Sequence, residues 1–344
     1  PSLLSLDDVE KILTALARFA PWTDDAELSM ELDPRTVEPG YLAGLKGLGF
    51  TRVSFGVQDF NSQVQEAIGR VQPEATTMRV VAEARAAGFA RVNLDLIYGL
   101  PYQTRTSYAE TVNRLLALDP DRVALFNFAY VPHMKPFQSQ MPIDKLPALD
   151  EKLSIFLETV DRFEAGGYRF IGLDHFSKPG DELARAFDAR KLHRSFQGYT
   201  ARHGLEVLAF GASGISQLRH GFAQNLRDPE AYRAVLEAGE SPIVRGLQLK
   251  GEDRLRQAVI ESIFCNESVD IAEIEGKFGI DFEVTFAGWR EALAPMAADG
   301  FVELGEAGLK VNRLGRLVMR NVAMVFDAYW SLEDGDGGRY SRTI

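Results

Sequence analysis

The feature that most limits what this chain can become is a helix-then-strand unit that recurs four times before residue 130. The first helix is expected over 7–19, where Val9, Ile12, Leu13 and Leu16 fall at helical spacing. The stretch 26–34 then alternates polar and apolar residues and stops at Pro34, which cannot extend a central ladder. A helix over 41–48 ends at Gly49 and leads into a strand at 52–58; one over 74–87 ends at Gly88 and leads into 91–97; one over 108–118 leads into 122–128. Strands separated by helices of this length need crossover connections, which are right-handed and build a parallel sheet. An open sheet and a barrel both satisfy the pattern. A barrel is favoured because successive strands finish in polar residues, Glu31 and Asp33, Gln58, Asp95 and Asn127, and in barrels the reacting groups converge from several strand ends on one mouth. Strand ends are also polar because they meet solvent, which explains any single residue better than four strands in a row.

Beyond Pro132 the repeat stops, and Lys135-Pro136 and Met141-Pro142 punctuate an irregular connection. A domain boundary is expected near Pro147, dividing the chain into 1–147 and 148–344. Leu149, Leu153, Phe156, Leu157, Val160 and Phe163 form the apolar stripe of a long helix ending at Gly166-Gly167, and 168–173 and 206–210 are expected strands. Helices over 254–264, 271–278 and 285–299 and a hairpin of 302–304 with 309–311 resemble a winged helix spanning about 246–320. Its third helix carries Glu291 and only Arg290 as a basic residue, a poor recognition helix. A structural or lid role is expected instead.

Composition narrows the function class. The 46% hydrophobic and 25% charged fractions are those of a soluble globular protein, and no long apolar run marks a membrane span. Lys and Arg total 38 against 49 Asp and Glu, a formal charge of −11 that disfavours nucleic acid and anionic membrane surfaces as general partners. The one cysteine, Cys265, supplies neither an internal disulfide nor a multi-thiolate metal site, and its place in the apolar stretch 260–265 suits a small core residue. A reducing, cytoplasmic setting is expected. A capped helix begins directly after Pro1, which suggests a fragment cut inside a domain.

Four stretches carry a resemblance: Glu31-Leu32-Asp33-Pro34, Ser54-Phe55-Gly56-Val57-Gln58-Asp59-Phe60, Asn93-Leu94-Asp95-Leu96-Ile97-Tyr98-Gly99-Leu100-Pro101 and His193-Arg194-Ser195-Phe196-Gln197-Gly198-Tyr199. Together, and with Asp174-His175-Phe176, they are similar to the oxygen-independent coproporphyrinogen III oxidases, or coproporphyrinogen dehydrogenases, of the radical S-adenosylmethionine (radical SAM) superfamily. The likeness runs essentially end to end. It implies an α/β fold, a partial (β/α)6 radical-SAM barrel here lacking its first two units, followed by an α+β C-terminal domain over the barrel mouth. In the family a C-x-x-x-C-x-x-C loop after the first strand holds a 4Fe-4S cluster, and Pro1 matches the proline closing a glycine-rich segment after the second. The cluster's cysteine ligands are therefore expected outside this chain, with no metal ligand inside it, and the fragment alone is expected to be inactive.

The resemblance also implies residue roles. Glu31 matches a carboxylate contacting the cluster-bound S-adenosyl-L-methionine, and Ile215, in the loop Gly211-Ala212-Ser213-Gly214-Ile215, packs near the same molecule. Gln58, Arg70, Asp95 and Ala129 match contacts to a second S-adenosylmethionine, where Arg70 would meet a carboxylate and Asp95 a cationic group. Phe196 and Gln197 are substrate-pocket candidates. His175 and His193 stay open between satisfied core residues and substrate or proton-handling roles. The implied activity of the complete protein is oxidative decarboxylation of coproporphyrinogen III to protoporphyrinogen IX in anaerobic porphyrin and haem biosynthesis, by 5′-deoxyadenosyl radical hydrogen abstraction from propionate side chains. An electron donor and an electron acceptor are its partners, and the protein is expected to be a monomer. The alternative is a related haem chaperone that keeps the fold without the oxidase activity; a non-catalytic binding module is a third reading.

Overall fold

The computed structural model describes residues 2–195, 197–202 and 204–329. Two of the residues singled out above, Pro1 and Phe196, lie outside them. The chain divides into two units, Pro1–Asp181 and Glu182–Thr343.

The first unit opens with helix α1 (Leu6–Phe19), whose first turn is capped by Ser5 Oγ accepting from the Asp8 amide at 3.2 Å. Strand β1 (Ser29–Leu32), α2 (Tyr41–Gly47), β2 (Arg52–Gln58), α3 (Ser62–Ala67), α4 (Glu74–Ala86), β3 (Arg91–Tyr98), α5 (Arg105–Ala117) and β4 (Arg122–Asn127) follow. Strands β1 to β4 pair in parallel and in sequence order. All four expected strands thus form, and the crossover argument gives the right sheet. Burial alternates residue by residue along β2 and β3. Leu32, Phe55, Leu94 and Val123 occupy one row across the sheet on the side covered by the helices. Phe55, Leu94 and Val123 are fully buried, and each contributes roughly 1.5–3 kcal/mol through burial.

The expected boundary near Pro147 is corrected. Helix α6 (Leu149–Ala165) and strands β5 (Arg169–Ile171) and β6 (His175–Ser177) belong to the first unit. The sheet order is β1-β2-β3-β4-β6-β5, with β6 antiparallel to β4 and β5 antiparallel to β6. The physical reason is that the stripe of α6 seals the sheet's far end. Phe156 and Phe163 are buried against Tyr98, Phe170 and Phe176, with Phe170 and Phe176 stacked at 4.7 Å. Phe176 also pairs with Val123, so it extends the apolar row. The Pro-rich connection 132–147 is therefore an excursion from the unit and not its end. At the start of β4, Arg122 Nε donates to Asp181 Oδ1 at 2.8 Å, both side chains under 5% exposed.

The second unit begins with α7 (Glu182–Asp188) and a two-stranded ribbon, β7 (His193–Ser195) with β8 (Gly198–Thr200). An antiparallel sheet of β9 (Ile215–Leu218), β10 (Gly221–Asn225) and β11 (Ile243–Gln248) follows, with α8 (Pro229–Glu237) between its last two strands. The strand expected at 206–210 is not formed; only Val207 bridges to Gln217 of β9, because the next amide in register, that of Ala209, donates to Ser216 Oγ at 3.0 Å and not to a ladder carbonyl. The remainder is α9 (Gly251–Asn266), β12 (Ser268–Asp270), α10 (Ile271–Phe278), α11 (Phe282–Thr285), α12 (Trp289–Ala298), the hairpin β13 (Val302–Gly305) with β14 (Gly308–Val311), and α13 (Met319–Met324). Its helix–strand–helices–hairpin order, with sheet order β12-β14-β13, is the winged-helix arrangement expected over 246–320. Arg290 is committed internally: it donates to Glu283 Oε1 and Gly305 O and lies 4.3 Å from the Trp289 ring. No helix among the described residues is long and apolar enough to cross a membrane.

Removing one member of a buried ion pair strands the other charge. Asp181→Ala is expected to lower unfolding stability by about 3–5 kcal/mol, read from urea denaturation, whereas the double change Arg122→Met with Asp181→Leu recovers most of the loss.

Candidate functional site

The side of the sheet opposite the helices is polar. Parallel pairing sets Glu31 beside Ser54 and Ser54 beside Asn93; one step on, Gly56 lies beside Asp95, Asp95 beside Ala124, and Ala124 beside His175 of β6. Successive residues of a strand face opposite sides, so the sequence that buries Phe55 and Leu94 must turn Ser54, Gly56, Asn93 and Asp95 the other way. The ladder breaks between Gly56 and Gln58, where Gln58 adopts the left-handed region at φ 68°. For a residue other than glycine that conformation is strained, and such strain collects at functional positions.

Arg70 reaches this point from the loop after α3. Its Nη2 donates to the Gly56 carbonyl at 3.0 Å and its Nη1 lies 3.1 Å from Asp33 Oδ2, while Asp33 also holds Arg35 at 2.7 Å. A Cβ on Gly56 would stand 2.7 Å from Gln58 Nε2 and 3.1 Å from Arg70 Nη2. The close approach of these two side chains therefore depends on glycine. Gln58 Oε1 and Arg70 Nε are shielded from solvent with no hydrogen-bond partner among the described residues. Buried polar atoms of that kind fit a polar ligand. Desolvation lowers the Arg70 guanidinium from its ordinary value and Asp33 opposes the drop; a guanidinium stays charged regardless.

Asp95 is the most perturbed carboxyl of the group. Burial and the nearby Glu31 push it up to about 7, against the pull of His175, a hydrogen bond from Ser54 Oγ at 3.2 Å, and Arg70. A carboxyl poised at neutrality in a polar cluster is the electrostatic mark of a binding or reacting site. Glu31 itself is solvent-exposed at the end of β1.

Below the cluster, Asp59 is buried and fixes the loops that follow β2 and β3. It accepts from Thr111 Oγ1 and Gln103 Nε2, each at 2.6 Å, and from the Asn61 amide at 2.8 Å. Gln103 also donates to the Ile97 carbonyl and accepts from the Leu100 amide. Burial still raises Asp59 above the usual carboxylate range.

Of the expected site residues, the structure brings together Glu31, Gln58, Arg70 and Asp95. Ala129 lies in the loop after β4, where its carbonyl accepts from Gln138 Nε2 at 3.0 Å. Ile215 and Gln197 belong to the second unit. Ile215 opens β9 behind a turn in which Gly211 and Ser213 have positive φ and Asn225 Nδ2 donates to the Gly211 carbonyl at 2.9 Å. Gln197 is exposed in the turn between β7 and β8, its amide donating to Ser195 Oγ. His193 of β7 pairs with Glu261 of α9, which raises the imidazole above its ordinary value. His175, left open by its sequence, sits in the row of Asp95. Its sequence signal was weak because β6 is only three residues long.

The cysteine behaves as expected. Cys265 is 1% exposed, and burial pushes its thiol up, away from the thiolate a cluster requires. No group of three or more His, Cys, Asp or Glu able to hold a metal occurs among the described residues. The residues present do not fit a 4Fe-4S cluster, whereas the polar row fits an organic cation bearing a carboxylate.

Comparison with known proteins identifies the family. The Radical SAM superfamily profile matches residues 3–115 and the HemN C-terminal domain profile matches residues 249–318. An oxygen-independent coproporphyrinogen III oxidase of Synechocystis sp. is 42% identical over 333 residues, covering 96% of this chain and 72% of that protein. One of Thermostichus vulcanus is 44% identical, covering 94% of this chain and 99% of that sequence. The solved coproporphyrinogen III oxidase (HemN) of Escherichia coli, described as a radical SAM enzyme, superposes with a TM-score of 0.92 at 40% identity over 96% of this chain and 76% of that one. The two family regions, these relatives and the shared fold lead to one assignment: the chain belongs to the oxygen-independent coproporphyrinogen III oxidase family of the radical SAM superfamily.

Proposed function

We propose that this protein performs the oxidative decarboxylation of coproporphyrinogen III to protoporphyrinogen IX. The observation that carries the reading is the family likeness over 96% of the chain, at 40% identity to a solved member and through both units. Each of two propionate side chains then becomes vinyl by giving up carbon dioxide, one proton and two electrons, so an electron acceptor is a necessary partner alongside an electron donor. The reading takes the protein as a cytoplasmic monomer, in keeping with its single buried cysteine.

S-adenosylmethionine is the cofactor that membership of the superfamily implies, and when bound at a reduced 4Fe-4S cluster it supplies a hydrogen-abstracting radical. What this chain's own residues do is hold and orient. By the resemblance two molecules are held: Glu31 offers a carboxylate to the cluster-bound one, while for the second Asp95 offers a carboxylate to a cationic group, Arg70 offers to a carboxylate an Nε with no partner among the described residues, and Gln58 offers to a donor an Oε1 in the same state. The buried setting of Asp95 strengthens its contact relative to water, which exposed Glu31 does not share. On the resemblance of their motifs Ile215 is assigned to the first of these molecules, Ala129 to the second, and Phe196 and Gln197 to the substrate. Shielding a reactive intermediate from water and fixing its approach are the protein's main contributions.

The direct test is anaerobic incubation of the complete, reconstituted protein with coproporphyrinogen III, S-adenosylmethionine and a reductant. Protoporphyrinogen formation supports the reading; haem binding without product would identify a chaperone instead. In the same assay Asp95→Ala and Arg70→Ala are expected to reduce turnover at least tenfold, roughly the worth of one charge-assisted contact, while the cluster's absorbance spectrum stays unchanged. Unchanged turnover in both variants would remove these residues from the site. Gly56→Ala is expected to weaken S-adenosylmethionine binding by displacing Gln58 and Arg70, with the circular dichroism of the folded chain preserved.

A further inference from the structure

Among the described residues, the ribbon of β7 and β8 holds a cation without a counterion. Arg194 of β7 pairs in register with Tyr199 of β8, which sets both side chains on one side of the ribbon. Tyr199 is 7% exposed and its hydroxyl donates to the Phe264 carbonyl of α9 at 3.0 Å, so its ring is fixed against that helix. The guanidinium carbon of Arg194 lies 5.4 Å from the centre of the Tyr199 ring and 5.9 Å from that of Phe264. Both separations lie within the reach of cation–π attraction. Arg194 Nε is shielded from solvent and has no hydrogen-bond partner among the described residues. Its Nη1 and Nη2 make no hydrogen bond or ion pair there either, yet they are not shielded, so the outer edge of the fork is open to solvent.

The acid that α9 presents to this ribbon does not neutralise the fork. Glu261, one helical turn before Phe264, pairs with His193, whose imidazole it raises above its ordinary value. That pair cancels itself and leaves the charge of Arg194 to set the local field. Ring faces attract a guanidinium but accept no strong hydrogen bonds, so the N–H groups of the fork still call for an acceptor. Held between two rings, the side chain has lost much of its rotamer freedom before any ligand arrives, which lowers the cost of binding one. A planar fork matches both oxygens of a carboxylate. Gln197 is exposed in the turn closing the same ribbon, so one hairpin carries this fork and the amide assigned above to the substrate.

We propose that Arg194, held between Tyr199 and Phe264, is a substrate-binding residue whose open Nη1–Nη2 edge takes one propionate carboxylate of the tetrapyrrole. The inference deepens the proposed function and rests on that reading for the source of the carboxylate. The propionate held is one that the product retains. A propionate that reacts must shed its carboxylate as carbon dioxide, and a bidentate guanidinium would stabilise the charged ground state against that loss. A contact to a retained propionate is equally strong in the bound substrate and in the transition state, so removing it raises KM and leaves kcat.

The test uses the complete, anaerobically reconstituted protein and two probes titrated by absorbance in the same dilute detergent. One is coproporphyrin III, the oxidised and coloured form of the proposed substrate; the other is its tetramethyl ester, which keeps the ring and lacks the carboxylates. Arg194→Met keeps an apolar stem against the two rings. It is expected to weaken binding of the acid at least tenfold, roughly the worth of one charge-assisted contact, and to leave the affinities for the ester and for S-adenosylmethionine as in wild type. Arg194→Lys, which keeps the charge without the fork, is expected to fall between the two. In turnover, Arg194→Met is expected to raise KM for coproporphyrinogen III by the same factor, with kcat within about twofold of wild type. Comparing acid with ester inside one variant cancels any loss of folded protein. Acid binding unchanged in Arg194→Met, or acid and ester weakened alike, overturns the inference and leaves the proposed function standing. A kcat that falls while KM holds overturns the assignment to a retained propionate. Wild type that binds the acid over the ester yet forms no protoporphyrinogen removes the proposed function and leaves the carboxylate site.

Discussion

One row of apolar side chains sets the register from which the rest of the first unit follows. Leu32, Phe55, Leu94, Val123 and Phe176 run across five strands on the helix side of the sheet, and Phe170 completes the row at the edge. Because strand side chains alternate with a period of two, a slip of one residue in any ladder would send an aromatic or branched side chain to the polar side and bring a polar residue such as Asn93 or Asp95 under the helices. The cost of burying an unpaired carboxylate forbids that alternative. Hydrophobic burial on one side is thus what aligns Gly56, Asp95, Ala124 and His175 on the other.

Alignment alone would leave a polar strip exposed to water. Two devices convert it into a site. Asp59, beneath the strand ends, gathers Thr111 of α5, Gln103 and the Asn61 amide, so the loops after β2 and β3 are tied to a common buried carboxyl. Arg70 folds back over Gly56 and pairs with Asp33, closing the space from the β1 side. The result is a partly desolvated pocket of mixed charge, in which the balance between Glu31, Arg70 and His175 places Asp95 near neutrality. Burial is the largest contribution, and it is also what makes the neighbouring charges effective.

Much of this was legible in the sequence because it depends on periodicity. Alternation along 52–58 and 91–98 reports a half-buried strand, and glycines at 49 and 88 report helix ends, so four parallel strands and the polar ends of β2 and β3 could be read directly. What could not be read depends on short elements or on long-range pairing. Strands β5 and β6 have three residues each, too few to display a period, and they follow a Pro-rich excursion that resembles a linker. The sequence signal for a boundary accordingly falls some thirty residues before the observed division, because no local feature says that Phe170 and Phe176 continue the row begun by Leu32. The pairing of Arg70 with Asp33 and the place of His175 in the row of Asp95 are tertiary facts. The converse holds at 206–210, where an apolar run suits a strand but only a single bridge forms.

Gln58 combines two demands that are usually met by different residues. Its backbone lies in the left-handed region, which glycine enters freely and asparagine with little penalty, while its side-chain amide occupies the space over Gly56 that a Cβ there would take. Glycine would satisfy the backbone and delete the amide; a branched side chain would fail the backbone before its chemistry mattered. Among descendants of this sequence, neutral drift at position 58 is therefore confined by geometry and function at once, and the narrow set of survivors would be a historical record of when the two constraints were coupled.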